Sequence, residues 1–205
     1  MTHLHLLTNG RLFAWPELAE RLASIGHPDL VLGIPLYSDA ATLHDYIVQA
    51  RGAFDQTVTG LHHLARWRIP VELRVVLHKL SVPRLLQLAE YVYRNFPFVV
   101  HVALMGLEPT GYAVYNRDKL WLDPYEYQGI LAEAVEYLSL RGMPVSVYNL
   151  QRCLLPPPAW AYARLSISDW KRVYLPECDE CAERGSCGGF FRSEERLHSS
   201  HIHAL

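Results

Sequence analysis

The stretch VELRVVLHKLSVPRLLQLAEYVYRNFPFVVHVAL, residues 71–104, decides the fold class of this chain. It begins and ends with short, nearly continuous apolar runs, 71–77 and 98–104. Such runs are typical of strands that are buried on both faces of a sheet. Between them, a stretch that begins near Pro83 carries apolar residues at helical spacing: Leu85, Leu86, Ala89, Val92 and Tyr93. The stretch therefore predicts a strand, a helix and a second strand parallel to the first.

The same alternation continues in both directions along the chain. Further apolar runs predict strands at 3–7, 30–36 and 144–148, and helical patterns predict helices at 16–25, 42–49, 54–66 and 123–141. The last helix has a full start signal, because Asp123 suits the N-cap, Pro124 the first turn and Glu126 a capping box. Strands that alternate with helices predict a parallel sheet, either open or curled into a barrel.

Polar side chains follow the predicted strands at the ends where such sheets bind ligands. These candidate site residues are Asn9, Ser38, His78, Lys79 and Glu108. Asn9 lies in Thr8-Asn9-Gly10, although Asn-Gly is also a common turn signal. Glu108 stands between two glycines, which suits a pocket that admits a ligand close to the backbone, and an ordinary turn with a solvated carboxylate gives the same pattern.

Composition and charge exclude several classes of function. The formal net charge is −2, half of the residues are apolar and 20% are charged. No basic field indicates nucleic acid, and no run of Lys or Arg indicates an anionic membrane. The apolar stretches are far shorter than the roughly 20 residues of a membrane span. The first residues lack the pattern of a signal peptide, so we expect a cytoplasmic protein.

All four cysteines lie in the last third of the chain, with the spacing C-x24-C-x2-C-x5-C. They are Cys153, Cys178, Cys181 and Cys187. In a reducing compartment such a group indicates metal ligands rather than disulfides, and four thiolates suit either zinc or an iron–sulfur cluster. Spacing alone does not decide the metal. Four unrelated thiols, or a redox pair at Cys178 and Cys181, are the simpler interpretations.

The cysteine region follows the last predicted strand and differs in character from the rest. Pro156-Pro157-Pro158 forms a stiff connector, and no strong periodicity follows it. A segment this short would profit from a metal staple. The tail also carries histidines, namely His198, His201 and His203. We expect this tail to be solvated.

Several of these motifs together resemble the radical S-adenosylmethionine (SAM) enzymes. Thr8-Asn9-Gly10 is similar to the end of their third strand, and residues 105–111 with Tyr148-Asn149 and Cys153 are similar to later barrel strands of a subgroup with an auxiliary cluster. The most specific part is SISDWK, residues 166–171, followed by C-x2-C-x5-CGGFF, residues 178–191. It resembles the C-terminal region of the His-Xaa-Ser system radical SAM maturases, which are thought to modify peptides with His-Xaa-Ser repeats.

The resemblance implies an α/β fold with two parts. Residues 1–150 would form a partial radical-SAM-type (β/α)6 barrel from its third strand onward, and residues 151–205 a C-terminal segment holding an auxiliary iron–sulfur cluster, a [4Fe–4S] cluster. SAM would lie across the strand ends in the complete family member, with the five candidate residues above in its pocket. The implied partners are a substrate peptide with His-Xaa-Ser repeats and another radical SAM maturase.

One departure from the family divides the functional interpretation. The C-x3-C-x2-C motif, whose thiolates hold the SAM-binding cluster, is absent, because no cysteine precedes Cys153. The first two barrel strands and their Gly-Gly-Glu-Pro-type loop are missing as well. The chain is therefore either part of a peptide-modifying radical SAM enzyme or a non-catalytic, metal-stapled binding module that assists a complete relative.

Overall fold

The computed structural model describes residues 3–205, and its centre is a parallel sheet of five strands in the order β1-β2-β3-β4-β5. The strands are β1 (Leu4–Leu7), β2 (Leu30–Pro35), β3 (Val71–Leu77), β4 (His101–Gly106) and β5 (Val145–Tyr148). Each strand pairs in parallel with the next one in the sequence. This sequential order is the one in which consecutive strands of a barrel lie side by side.

Helices fill the connections between the strands. They are α1 (Pro16–Ser24), α2 (Ala41–Val48), α3 (Ala53–Arg66), α4 (Leu85–Asn95), the short α5 (Tyr112–Tyr115) and α6 (Arg117–Leu120), and α7 (Pro124–Ser139). Asp123 caps α7 as predicted, since its Oδ1 accepts from the N–H of Tyr125 at 3.0 Å. The predicted capping box is wrong, because the bond between Glu126 and Asp123 joins backbone N–H to backbone carbonyl.

The core lies between the sheet and the helices. Its fully buried side chains come from alternate strand positions and from the inner faces of α3, α4 and α7: Leu32, Ile34, Leu73, Val75, Leu77, Leu104, Leu61, Leu64, Leu88, Val92, Leu131 and Leu138. This face of the sheet is apolar, as the sequence pattern predicts. The removal of so many large side chains from water is the main force that holds the helices on the sheet.

The opposite face of the sheet differs from the expectation of strands that are apolar on both faces. It carries a polar cluster, which we call the lumen network: His5, Glu72, Arg74, His101 and Ser146. Glu72 is only 6% exposed. A charged side chain this buried needs partners, and it has them on neighbouring strands.

The first residue of β4 also differs from the one predicted from the sequence. The strand begins at His101 rather than at Phe98. Phe98 instead packs edge-on against Phe96 and His62, with ring centroids 6.0 and 5.8 Å apart. These ring contacts hold Phe98 outside the strand, which begins three residues later.

Beyond β5, where a sixth strand would pair, an irregular segment around Ala163 lies beside the sheet. Val147 in β5 forms an isolated parallel bridge with Ala163, and the N–H of Arg164 donates to the carbonyl of Val147 at 3.0 Å. The chain reaches this point through 3-10 turns at Arg152–Leu154 and Pro157–Tyr162. The sheet is thereby extended along its curve beyond β5.

The C-terminal segment contains a small two-stranded antiparallel sheet of β6 (Arg172–Val173) and β7 (Phe190–Phe191), with 3-10 turns at Pro176–Cys178, Arg184–Ser186 and Arg192–Glu194. Leu155 and Ala159 are buried in the same core as the sheet, so packing continues past residue 150. The predicted division into parts 1–150 and 151–205 stays a prediction. Among residues 3–205, no helix is long and apolar enough to cross a membrane.

Candidate metal centre and strand-end site

The four cysteines line one cavity at the carboxyl end of β5. Their partners in its wall come from the C-terminal segment and the tail: Gln151, Arg152, Tyr174, Glu183, Arg184, Phe190, His203 and Leu205. The space that these residues surround is narrow and opens to solvent. All four thiols are partly buried and none is in a disulfide. The structure thus brings Cys153 together with the three cysteines that follow it at a distance in the sequence.

Local turns position the cysteines. Cys153 lies in the 3-10 turn that follows β5, and the indole N–H of Trp160 fixes this turn by donating to the carbonyls of Arg152 and Leu155, each at 3.0 Å. Cys178 ends another 3-10 turn, and the N–H of Cys181 donates to its carbonyl at 3.3 Å. The hydroxyl of Tyr174 donates to the carbonyl of Cys187 at 3.1 Å. Hydrogen bonds to the backbone of these turns, from the Trp160 and Tyr174 side chains as well as from backbone N–H groups, therefore help to set where the thiols lie.

The electrostatics of the cavity reflect the closeness of the thiols. Burial raises the pKa of Cys153, and the neighbouring Cys187 and Cys178 raise it further. Burial likewise raises the pKa of Cys178, with contributions from Cys187 and Cys181. Without a metal group, Cys153 and Cys178 are therefore protonated at neutral pH, and metal binding would release their protons.

The four cysteine sulfurs are chemically suitable ligands for a metal group, although they do not converge on one position. Within residues 3–205, no three His, Cys, Asp or Glu side chains are close enough together to hold one metal ion. The four thiols instead surround a common space. Four cysteine sulfurs are the ligand set of zinc staples and of iron–sulfur clusters alike. Two arginines of the wall, Arg152 and Arg184, form ion pairs with Glu183 and Asp179.

The C-terminal tail lies along the surface of the protein, with His201, His203 and Leu205 exposed. His201 stacks on Tyr125, with ring centroids 3.8 Å apart and an interplanar angle of 10°. His203 and Leu205 lie in the wall of the cysteine cavity. Aromatic stacking and backbone hydrogen bonds hold the tail on the surface, and most of its residues remain exposed, in line with the expected solvated tail.

Asn9 lies in the turn after β1. Its Oδ1 accepts from the N–H of Arg11 at 3.1 Å, and its carbonyl accepts from the hydroxyl of Thr57 at 3.3 Å. The turn packs so closely on α3 that a Cβ on Gly60 would lie 2.5 Å from the carbonyl oxygen of Gly10. Asn9 itself remains exposed at the edge of an open pocket with Arg11, Trp15 and Gln56.

Ser38 and His78 are buried in the turns after β2 and β3. The hydroxyl of Ser38 accepts from the N–H of Ala40 at 3.1 Å. Nδ1 of His78 accepts from the N–H groups of Leu80 and Ser81 at 3.2 and 3.3 Å, and burial lowers the pKa of His78 to about 4. The ring is therefore neutral at physiological pH. In this structure, both side chains use polar atoms to stabilise their own turns.

Lys79 and Glu108 also lie at the strand ends. Lys79 is exposed, and its Nζ donates to the carbonyl of Asp118 at 3.4 Å. Glu108 is partly buried in the loop after β4 and lies near a second carboxyl group, that of Glu194. All five candidate residues therefore lie at the predicted edge of the sheet. Their roles in ligand binding stay a prediction.

Sequence analysis missed Glu194, which the C-terminal segment returns to the ends of β3 and β4. It lines a cavity with Leu77, Gly106, Leu107, Tyr127 and Gln151. Its Oε2 accepts from the N–H of Phe191 at 2.7 Å. Burial raises the pKa of Glu194 to about 8, and Glu108 contributes in the same direction. No local pattern around Glu194 indicates this position.

The lumen network is the other feature that sequence analysis missed. Here a signal was present, because Glu72 and Arg74 alternate with the apolar residues of β3. This alternation of period two is typical of a strand with one polar face. It was outweighed by the mostly apolar composition of the run.

No protein-family model matches this sequence, and no curated protein matches it. Among solved structures, Streptococcus suis SuiB bound to precursor peptide SuiA matches with a TM-score of 0.56 and 13% identity, covering 72% of this chain and 32% of that chain. SuiB bound to S-adenosylmethionine matches with a TM-score of 0.55 and 16% identity, covering 82% of this chain and 36% of that chain. Native anSMEcpe with bound AdoMet (S-adenosylmethionine) and Kp18Cys peptide matches with a TM-score of 0.51 and 15% identity, covering 71% of this chain and 40% of that chain.

These likenesses concern the fold. They confirm the predicted fold class, an α/β chain whose parallel five-stranded sheet resembles a partial radical-SAM-type barrel. The chain spans only about a third to two fifths of the length of the structures that it matches.

Proposed function

We propose that this chain is part of a radical SAM peptide maturase of the His-Xaa-Ser system type, and that Cys153, Cys178, Cys181 and Cys187 bind an auxiliary [4Fe–4S] cluster. The observation that carries the proposal is the cavity at the carboxyl end of β5, which all four cysteines of the chain line. When bound, such a cluster supplies the capacity to carry an electron. The structures with a similar fold include two with SAM and two with peptides, which supports a peptide substrate.

In this proposal the strand ends bind SAM and the peptide. Asn9, Ser38, His78, Lys79 and Glu108 lie along the edge of the sheet where parallel α/β folds bind their ligands. Asn9 and Lys79 are exposed and available for direct contact, whereas Ser38 and His78 would shape the pocket through their turns. The substrate would be a peptide with His-Xaa-Ser repeats, and the setting the cytoplasm.

A second candidate is a non-catalytic module that binds the peptide and assists a complete radical SAM maturase. These 205 residues contain no C-x3-C-x2-C, which is compatible with both candidates. For the module, zinc is an alternative to the cluster, because a staple needs no redox chemistry. An in-frame C-x3-C-x2-C in the DNA upstream favours the enzyme, and stop codons there favour the module.

Iron and acid-labile sulfide in protein made anaerobically with iron and sulfide test the cluster. We expect one cluster per chain and the broad visible absorption of iron–sulfur centres. Cys181→Ser should abolish metal retention, whereas Ser186→Ala, at an exposed site beside Cys187, should retain the wild-type amount. Stoichiometric zinc without visible absorption contradicts the cluster and leaves the staple. Full metal retention by Cys181→Ser removes Cys181 from the ligand set.

A further inference from the structure

The last residues of the chain follow a path that is fixed at several points. Ser199 is only 2% exposed, and its hydroxyl accepts from the N–H of His201 at 3.1 Å. His201 then stacks on Tyr125 of α7. At the end, the carbonyl of Leu205 accepts from the N–H of Ala182 at 2.8 Å, between two cysteines of the cavity. The segment 199–205 is therefore tied to both α7 and the cysteine loop.

The backbone of the tail lies beside two of the thiols. The N–H of Leu205 donates to Sγ of Cys181 at 3.4 Å. The backbone of His203 lies near the thiol of Cys153, where it acts to lower the pKa of that thiol against the larger effect of burial, and both residues line the cavity. Hydrogen bonds from the backbone to cysteine sulfur are a regular feature of the surroundings of metal–thiolate centres. His203 is thereby placed beside Cys153 in the wall of the cavity.

The ring of His203 is in the tautomer that a metal needs. Its Nδ1 lies 2.9 Å from the carbonyl oxygen of His201. A carbonyl only accepts, so Nδ1 carries the hydrogen and Nε2 of the neutral ring keeps a free lone pair. Metal-binding histidines are held in this manner by a backbone carbonyl, which also fixes the orientation of the ring.

We propose that His203 is a fifth protein donor of the cysteine centre and shares one iron position with Cys153, while Cys178, Cys181 and Cys187 hold the other three. This inference rests on the proposed cluster. Cys153 is the thiol beside which His203 lies, and it is also the one supplied from outside the C-x2-C-x5-C loop. Histidine replaces cysteine on the iron of some clusters and raises their reduction potential, so the exchange is chemically sound.

The iron and sulfide contents of a set of reconstituted variants test the proposal. Cys153→Ser and His203→Ala should each keep most of the wild-type cluster, because the remaining donor takes the shared position. The double variant should lose most of its iron. In Cys153→Ser protein labelled with ¹⁵N-histidine, pulsed electron paramagnetic resonance of the reduced cluster should detect one coupled histidine nitrogen. Adding His203→Cys to Cys153→Ser should restore a cluster held by four thiolates.

His201→Ala is the matched control, since it removes a tail imidazole that stacks on Tyr125 and lies outside the cavity wall. The same series on a Cys153→Ala background separates ligand loss from the burial of a serine hydroxyl. A double variant with as much iron as Cys153→Ser, or no nitrogen coupling in Cys153→Ser, overturns the role of His203 alone. Wild-type protein that holds no iron and sulfide overturns the proposed cluster, and this inference with it.

Discussion

His101 and Glu72 join neighbouring strands in the lumen, with Nδ1 of His101 2.8 Å from Oε2 of Glu72. The other ring nitrogen, Nε2, lies 3.0 Å from the hydroxyl of Ser146 on β5, and the opposite carboxylate oxygen accepts from Nε of Arg74 at 2.7 Å. A continuous polar chain therefore crosses β3, β4 and β5 on the face away from the helices. Glu72, Arg74, His101 and Ser146 thus provide one another with the partners that buried polar groups need.

Glu72→Gln should lower the free energy of unfolding by about 3 kcal/mol, because it removes one partner of a buried ionic network. Burial by itself raises the pKa of Glu72, but the hydrogen bonds from His101 and Arg74 outweigh it, and the net pKa is lowered. The stabilisation is therefore present above the unfolded pKa and is lost as the pH falls through the lower folded pKa. Urea denaturation at neutral pH measures the change.

The matched control is Glu90→Gln, which breaks the exposed ion pair of Glu90 with Arg94 on α4. Pairs of this kind are worth less than about 1 kcal/mol. If both substitutions lower the free energy of unfolding by the same amount, the lumen network does not stabilise the sheet.

Glu194→Gln should change how stability depends on pH. Burial raises the pKa of Glu194 from 4.5 to about 8, so between these values the folded chain keeps a proton that the unfolded chain has lost. The free energy of unfolding of the wild type should therefore fall by about 1.4 kcal/mol per pH unit across this window through this one group. The Gln variant lacks this slope and should exceed the wild type by roughly 4 kcal/mol at pH 8.

Glu195→Gln, at the exposed neighbouring position, should keep the wild-type dependence on pH. Urea midpoints measured at pH 5, 6.5 and 8 distinguish the three proteins. Parallel profiles for wild type and Glu194→Gln would mean that the carboxyl group ionises normally in the folded chain.

The edge at β1 should make the isolated polypeptide associate. Among the described residues β1 pairs only with β2, and its leucines Leu4, Leu6 and Leu7 are 44%, 43% and 61% exposed. Exposed apolar strand edges recruit other chains, and a lysine on such an edge opposes this. We expect light scattering at tens of micromolar to detect oligomers of the wild type and a shift towards monomer for Leu6→Lys.

Leu140→Lys serves as the control for added charge, since Leu140 is 76% exposed at the end of α7, far from the edge. It should associate like the wild type. An equal effect of both lysines assigns the change to net charge, and a monodisperse wild-type monomer contradicts the prediction outright.

The 205-residue polypeptide by itself should not cleave SAM. Reductive cleavage needs an iron with an open position on a cluster held by three thiolates, and all four cysteines here belong to the C-terminal cavity. We expect no 5′-deoxyadenosine above background when reconstituted protein is mixed with SAM and dithionite. Adding a polypeptide that carries C-x3-C-x2-C, if the upstream DNA encodes one, should restore the activity. Turnover that depends on the C-terminal cysteines would assign SAM binding to that centre.

The strands, the helices and the parallel sheet could be predicted because their signals are local. Apolar runs, helical spacing and the Asp123 cap act over a few residues, and each is legible in the sequence. The parallel direction of the strands followed from the helices that connect them, because parallel strands need a crossover, whereas their order came from the structure. The boundary of β4 could not be predicted, because Phe98 is drawn into an aromatic cluster with His62, a residue of α3.

For the candidate site, the sequence by itself determined which donors exist: four cysteines, three tail histidines and five polar residues at strand ends. Only the tertiary structure decided which of them meet. Glu194 reaches the strand ends, and His203 reaches the thiol of Cys153, through long irregular chain. Such contacts depend on how the curved sheet, the turns and the tail pack together. That packing is the sum of many weak interactions between distant residues, and no local pattern encodes it.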